Sequence, residues 1–215
     1  MKKRLSLFLL FSIATIIANA QLFDNYGINL GTSYSNQSWR FGEDNNSNLI
    51  LPSYTQKKDY ILGLTFFLSF EKKINKVISF KPEIGFIQKG FKTDFKNLDT
   101  SSSNTKGIVR LTDLGLNFRF IIKPIQLTWS PYLYLGNRFA YRVSANYIKN
   151  TYDYKDIVNE FNKPCPAVII GLGVVRNDLL YIELEYNRGF YRTDLPGTYN
   201  DNIWSFKLGV NINKI

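Results

Sequence analysis

The sequence predicts an all-β fold: an eight-stranded antiparallel up-and-down transmembrane β-barrel with long outer loops and short periplasmic turns. Three observations predict it. Eight segments of about ten residues or more alternate bulky apolar side chains with small, polar or charged ones, the period-2 rhythm of a strand with one greasy face. The connections between those segments alternate between long and short. An export signal precedes them, and eight is an even number, as bacterial single-chain barrels require.

The signal spans residues 1–20. Lys2, Lys3 and Arg4 are followed by the apolar run LSLFLLFSIATII and by Ala18-Asn19-Ala20, whose small first and third residues suit a signal peptidase. The run is shorter than the ~20 residues of a spanning helix. Cleavage before Gln21 leaves residues 21–215 as one barrel domain and lowers the formal net charge by three, from +10 to +7. Aromatic content is 16%, yet no later apolar run is long enough to span as a helix, so a membrane role must come through strands. The single cysteine, Cys165, permits no intramolecular disulfide.

Taken in order, the first strand sets Tyr26, Ile28, Leu30, Thr32 and Tyr34 against Gly27, Asn29, Gly31 and Ser33. The second sets Tyr60, Leu62, Leu64, Phe66, Leu68 and Phe70 against a mixed face of Ile61, Gly63, Thr65, Phe67, Ser69 and Glu71. The third, Val77 to Phe91, is the clearest: Ile78, Phe80, Pro82, Ile84 and Phe86 oppose Ser79, Lys81, Glu83, Gly85 and Lys89. In the fourth, Leu114, Leu116, Phe118, Phe120 and Ile122 oppose Asp113, Gly115, Asn117 and Arg119. In the fifth, Trp129, Pro131, Leu133, Leu135, Phe139 and Tyr141 oppose Tyr132, Tyr134, Gly136, Arg138 and Arg142. The sixth carries Val168, Ile170, Leu172 and Val174 opposite Gly171 and Gly173. The seventh carries Leu180, Ile182, Leu184 and Tyr186 opposite Glu183, Glu185 and Asn187. The eighth carries Trp204, Phe206, Leu208, Val210 and Ile212 opposite Ser205, Lys207, Gly209 and Asn211.

The connections at 37–59, 92–107 and 144–163 are long and that at 188–201 intermediate, while those at 72–76, 123–126 and 176–178 are short. Both termini therefore fall on the periplasmic side. Aromatics near the strand ends, such as Tyr34, Trp129, Tyr186 and Trp204, suit two interfacial girdles. A soluble, lipocalin-like binding barrel is the rival architecture; its apolar face would line a ligand cavity and its charges would meet water.

Several of these strands resemble the PorT-like small outer-membrane β-barrel proteins of Bacteroidota. The matching stretches are Lys81-Pro82-Glu83-Ile84-Gly85-Phe86 with Lys89-Gly90-Phe91, Ser130-Pro131-Tyr132-Leu133 with Gly136, Gly171-Leu172-Gly173, Glu185-Tyr186-Asn187-Arg188-Gly189 and Leu208-Gly209-Val210. The start of the fourth strand, Val109 to Leu114, and the ending Ile212-Asn213-Lys214-Ile215, without a terminal aromatic, depart from the family pattern. The resemblance implies an outer-membrane platform and a role in secretion or gliding machinery.

The charged residues on the inward face are Lys81, Lys89, Arg119, Arg138, Arg142 and Lys207 against Glu71, Glu83, Asp113, Glu183 and Glu185, six positive and five negative. An eight-stranded lumen is only wide enough to be filled by side chains, and buried charge is tolerated when paired. The balance therefore predicts an ionic plug rather than an anion-selective pore. A narrow channel or small-ligand transporter is the alternative. Surplus positive charge falls on predicted periplasmic turns and the tail, at Lys72, Lys73, Lys76, Lys123 and Lys214.

Chemistry is sparse. The chain has no histidine, which removes Ser-His nucleophilic catalysis, histidine metal sites and a histidine base in one stroke. No catalytic, cofactor-binding or metal site is predicted, and an enzyme is not expected. Glu183 and Glu185 share a face and could form an acid/base pair, but neutralising inward arginines is the simpler role. Gly171-Leu172-Gly173 lacks the third glycine and following helix of a dinucleotide loop. The basic residues sit on short turns away from any stacking aromatics, so nucleic acid is not a partner. The expected partners are outer-membrane lipids and a protein at the outer loops or periplasmic turns.

Within the third long loop, Tyr154, Ile157, Val158 and Phe161 recur at helical spacing, with Asp153 as N-cap and Pro164 as stop. That pattern predicts a short amphipathic helix, acting either as a lid on the barrel mouth or as a docking ridge.

Overall fold

A computed structural model describes residues 22–41, 59–96, 104–148, 154–156, 164–192 and 197–215. The predicted signal segment lies outside these residues, as do Ile157, Val158 and Phe161. The strands are β1 (Asn25–Phe41), β2 (Ile61–Lys73), β3 (Ile78–Lys96), β4 (Asn104–Ile122), β5 (Trp129–Ile148), β6 (Tyr154–Asp156), β7 (Pro164–Arg176), β8 (Leu180–Arg192) and β9 (Gly197–Asn211). All but β6 are the predicted eight.

Each long strand pairs antiparallel with its neighbour in sequence, β5 passes over β6 to pair with β7, and β9 returns to β1. The sheet is thus a closed eight-stranded barrel, and closure removes the free edges that an open sheet would have to protect. Alternation in the sequence becomes alternation across the wall. Along β2, Ile61, Gly63, Thr65, Phe67, Ser69 and Glu71 face inward, while Leu62, Leu64 and Leu68 are exposed. The long strands repeat this over their described side chains, so the outer wall is a belt rich in Leu, Ile, Val and Phe. Leu64, Leu133 and Phe139 are each more than half exposed. An apolar belt of that extent suits hydrocarbon rather than water. It also inverts the lipocalin arrangement, with grease outside and charge inside, and so overturns that rival.

The short turns are tightly specified. Asn177 and Asp178 have φ of 51° and 55°, and the Leu179 N–H donates to the Arg176 carbonyl at 2.9 Å, a type I′ hairpin turn. In the β2–β3 turn, Asn75 Oδ1 accepts from the N–H groups of Val77 and Ile78, both at 2.8 Å.

At the opposite end the strands outrun the predicted loops. β3 and β4 stay paired out to Lys96 and Asn104, where the sequence predicts a loop over 92–107. β8 and β9 pair out to Arg192 and Thr198, β1 runs to Phe41, and β5 continues to Ile148 instead of ending before Ser144. The reason is that a hairpin ladder continues wherever backbone donors and acceptors can pair. The apolar alternation that marks a strand in sequence stops where the wall leaves the hydrocarbon.

The predicted loop helix is corrected where it falls on described residues: Tyr154–Asp156 is a strand, pairing with Asn146–Ile148 of β5. β7 pairs with β5 only up to Tyr141, which leaves the upper edge of β5 open. A helix of about ten residues is marginal alone in water, whereas that edge offers ready backbone partners. One further irregularity belongs to β5. Asp113 pairs with Arg142 and Thr112 with Ser144, so Val143 is an extra residue, a bulge that switches the inward phase from Arg142 to Ala145.

Candidate functional site

The lumen is the site that the strands enclose. All eleven charged residues assigned to it from the sequence face inward, and none is more than 5% exposed. They divide into a central cluster, an outer cluster and a single acid at the periplasmic mouth.

Arg119, on β4, organises the centre. Its Nη1 donates to Glu183 Oε2 at 2.8 Å and lies 3.6 Å from Glu185, and its Nη2 contacts Glu83. One guanidinium thus joins three carboxylates on β3 and β8, from opposite sides of the barrel. Each carboxylate has further donors. Glu83 accepts from Asn29 and Asn117, both at 2.9 Å; Glu183 accepts from the Tyr132 hydroxyl at 2.8 Å and faces Lys81 at 3.5 Å. Glu185 accepts from Lys207 at 2.6 Å and from Arg138 at 3.4 Å. Aromatic faces cover the cations: Lys81 stands 3.9 Å over the Tyr181 ring, Arg119 4.6 Å over Tyr134, and Lys207 5.0 Å over Phe67.

Glycines make this possible at two adjacent positions. Gly171 and Gly173 pair across the ladder with Tyr134 and Tyr132. A Cβ on Gly173 would sit 2.5 Å from the Tyr132 ring carbon that bears the hydroxyl, so only a bare backbone lets that ring lie flat and reach Glu183.

The outer cluster is built around Lys89, which is paired with Asp113 and Asp201 together. Arg142 Nε donates to Asp113 at 2.9 Å, and Gln37 Nε2 donates to Asp201 at 2.6 Å. At the periplasmic mouth Glu71 accepts from Asn25 at 3.0 Å and from Lys123 at 2.7 Å. Below it lies a vestibule of about 550 Å³ lined by Lys73, Lys76, Ser79, Lys123, Gln126 and Asp178, among others. Lys73 donates to Asp178 at 2.6 Å at its rim.

Two of these participants are absent from the lumen set that the sequence predicts. Asp201, expected in a loop, is 1% exposed on β9, and it brings the interior to six cations and six anions among the described residues. Lys123, expected on a turn in solvent, folds back onto Glu71 with 11% of its side chain exposed. Both continue the inward phase, Lys123 two steps after Arg119 through Ile121 and Asp201 two steps before Ser205 through Ile203, so carrying each alternation two steps past the assigned inward residues reaches them. Tyr132, Tyr134 and Tyr181 complete the set as hydroxyl donors and ring platforms.

Chemically, this arrangement neutralises charge. Glu183 and Glu185 each face two or more cations, so each is engaged in ion pairs rather than set opposite the other as an acid/base pair. Among the described residues no group of three His, Cys, Asp or Glu side chains is placed to hold a metal ion.

The profile of a family described as outer membrane protein beta-barrel domain matches residues 19–194. No curated protein matches the sequence. Among solved structures, this chain is similar to surface protein A (NspA) of Neisseria, at 11% identity and a TM-score of 0.49, covering 87% of this chain and 97% of that one. It is similar to OprG of Pseudomonas aeruginosa at 10% identity and a TM-score of 0.47, covering 86% and 94%. The attachment invasion locus protein Ail of Yersinia pestis follows at 14% identity and a TM-score of 0.40, covering 86% and 98%.

Proposed function

The chain belongs to the outer membrane protein β-barrel family, and we propose that it serves there as a sealed, membrane-anchored platform rather than as a pore or an enzyme. The observation that carries this reading is the cross-linking of opposite walls by Arg119, which meets Glu83, Glu183 and Glu185 at the middle of the barrel. A conducting path would have to part these pairs, each of which is fully desolvated, and breaking a buried pair is costly. The vestibule offers a channel only an entrance, because it ends against the Glu71–Lys123 pair with the central cluster beyond.

A platform works through its ends. The strand extensions carry the wall past the apolar belt at one end, and the periplasmic turns carry lysines at the other, so a protein partner meets one of these two ends. The resemblance of several strands to PorT-like proteins of Bacteroidota supports secretion or envelope assembly as the setting, by analogy of fold and motif alone. The export signal over residues 1–20 is part of the same reading.

Planar-bilayer recording of the purified, reconstituted barrel tests the seal. No steady ohmic conductance is expected, and reproducible openings of nanosiemens size would overturn the platform in favour of the narrow channel. Capture from native membranes through the intact barrel then identifies the partner.

A further inference from the structure

We propose that the periplasmic vestibule is a binding site for the carboxylate end of a short peptide. The vestibule, of about 550 Å³, falls within the ~300–1,000 Å³ of small-molecule sites, and it closes against the Glu71–Lys123 pair. Gln126 Nε2 donates to the Lys76 carbonyl at 2.6 Å, the Lys123 N–H to the Val77 carbonyl at 2.7 Å, and the Asn177 N–H to the Thr128 carbonyl at 3.1 Å. These bonds fasten the three short turns to one another. A ligand entering from the periplasm therefore meets a wall that is already formed, which spares the cost of ordering it.

Its lining holds donors that the chain itself leaves unspent. Ser79 is 3% exposed, lines the vestibule and makes no hydrogen bond to any described residue. An unmatched hydroxyl at that burial is costly, and a ligand oxygen would satisfy it. Its ladder partners are Lys73 on β2 and Ile121 on β4, two residues before Lys123, so both lysines stand beside it. The Lys123 ammonium has three N–H groups. One donates to Glu71 Oε1 at 2.7 Å, while Asp178 is 3.6 Å away, too far for a hydrogen bond. Lys76, also on the lining, pairs with no acid among the described residues.

The charge balance selects the ligand. Lys73, Lys76 and Lys123 face Glu71 and Asp178, three cations to two anions, while Asp24, outside the lining, is 3.7 Å from Lys72. One negative charge completes the set, and a second would be repelled by Asp178. A carboxylate is therefore favoured over a phosphate monoester, and its two oxygens suit a hydroxyl and neighbouring ammonium groups. Asn75 spends its Oδ1 on the N–H groups of Val77 and Ile78, and Gln126 spends its Nε2 on Lys76. That leaves one amide donor and one amide acceptor on lining residues, the complement of a backbone peptide group. Leu127 adds an apolar patch for a small side chain.

The test titrates N-acetyl-dialanine into the purified, folded barrel in detergent at low salt, read by calorimetry. Saturable binding of one equivalent is expected, weakened about tenfold or more when the carboxylate is replaced by a carboxamide, and weakened by added salt. Inorganic phosphate should bind less tightly than the peptide. Lys76→Gln and Ser79→Ala should each weaken binding about fivefold to tenfold, with heat-modifiable gel migration unchanged. Lys76 is exposed, so its variant keeps the test open if Ser79→Ala does not fold. The readout does not depend on conductance, so a barrel that leaks can still hold the site and a sealed one can lack it. No saturable binding by about 10 mM, a carboxamide bound as well as the acid, phosphate bound as tightly as the peptide, or an affinity unmoved in the folded variants would each overturn the proposal.

Discussion

The central cluster and the periplasmic rim use the same chemistry to different effect. At the rim, Lys73 and Asp178 meet at 2.6 Å with side chains 41% and 33% exposed. At the centre, Arg119 and Glu183 meet at 2.8 Å with both side chains at 0%. The distances barely differ, yet the first pair exchanges one set of water contacts for another, while the second has lost its water altogether. Surface pairs contribute about 0–1 kcal/mol. A buried pair adds little as a unit, but removing one member strands the other, at about 3–5 kcal/mol. The contrast separates charges that tie opposite walls together from charges that sit at the surface.

The largest expected effect tests the centre directly. Arg119→Met removes the one cation that touches Glu83, Glu183 and Glu185 together and should lower stability by about 3–5 kcal/mol or more, read as a shifted urea midpoint of tryptophan emission in detergent. Loss of the heat-modifiable gel form should accompany it. A midpoint within error of wild type would erase the distinction between centre and rim. Glu83→Ala and Glu185→Ala should cost a similar amount, since each leaves buried cations behind. Arg119→Lys should fall between Met and wild type, because an ammonium cannot span three carboxylates in a fixed plane as a guanidinium does.

The outer cluster should respond less. Lys89→Met leaves Asp113 and Asp201 facing each other, but Arg142 Nε still donates to Asp113 and Gln37 to Asp201. A loss of about 2–3 kcal/mol is expected, between centre and rim, by the same urea titration. An effect as large as that of Arg119→Met would mean that the two clusters act as one.

Which parts of this are legible in the sequence follows from how each is encoded. Between the girdles, lipid on one side and a packed lumen on the other force strict alternation, so counting in twos assigns Glu83, Arg119 and Lys207 inward. Outside the band that force vanishes. Polar strand ends such as 92–96 read as loop, and Asp201 is hidden because its strand begins in a polar stretch. The Val143 bulge carries no composition signal at all. β6 contradicts a genuine helical spacing because an unpaired strand edge is a tertiary fact. The pairing of particular ions, too, depends on which strands face across the lumen, which shear determines and no local pattern shows.

The smallest expected effect is at the rim, and it is the sharpest test of the contrast because the prediction is near zero. Lys73→Ala removes a 2.6 Å hydrogen bond that would look strong on distance alone. Asp178 keeps a second cation, Lys123, at 3.6 Å, and it remains accessible to water, so no charge is stranded. The expected change is under about 1 kcal/mol, and raising the salt concentration should reduce it further. A double-mutant cycle with Asp178→Ala should give a coupling below about 0.5 kcal/mol, against one to several kcal/mol for the Arg119→Met, Glu183→Gln cycle at the centre. Asp178 also sits in the type I′ turn at φ 55°, where alanine is disfavoured, so the single Asp178→Ala change should cost more than its ion pair does. The cycle cancels that backbone term, because it is present with and without Lys73. If the coupling at the rim nevertheless matches the coupling at the centre, burial is not what gives the central charges their weight.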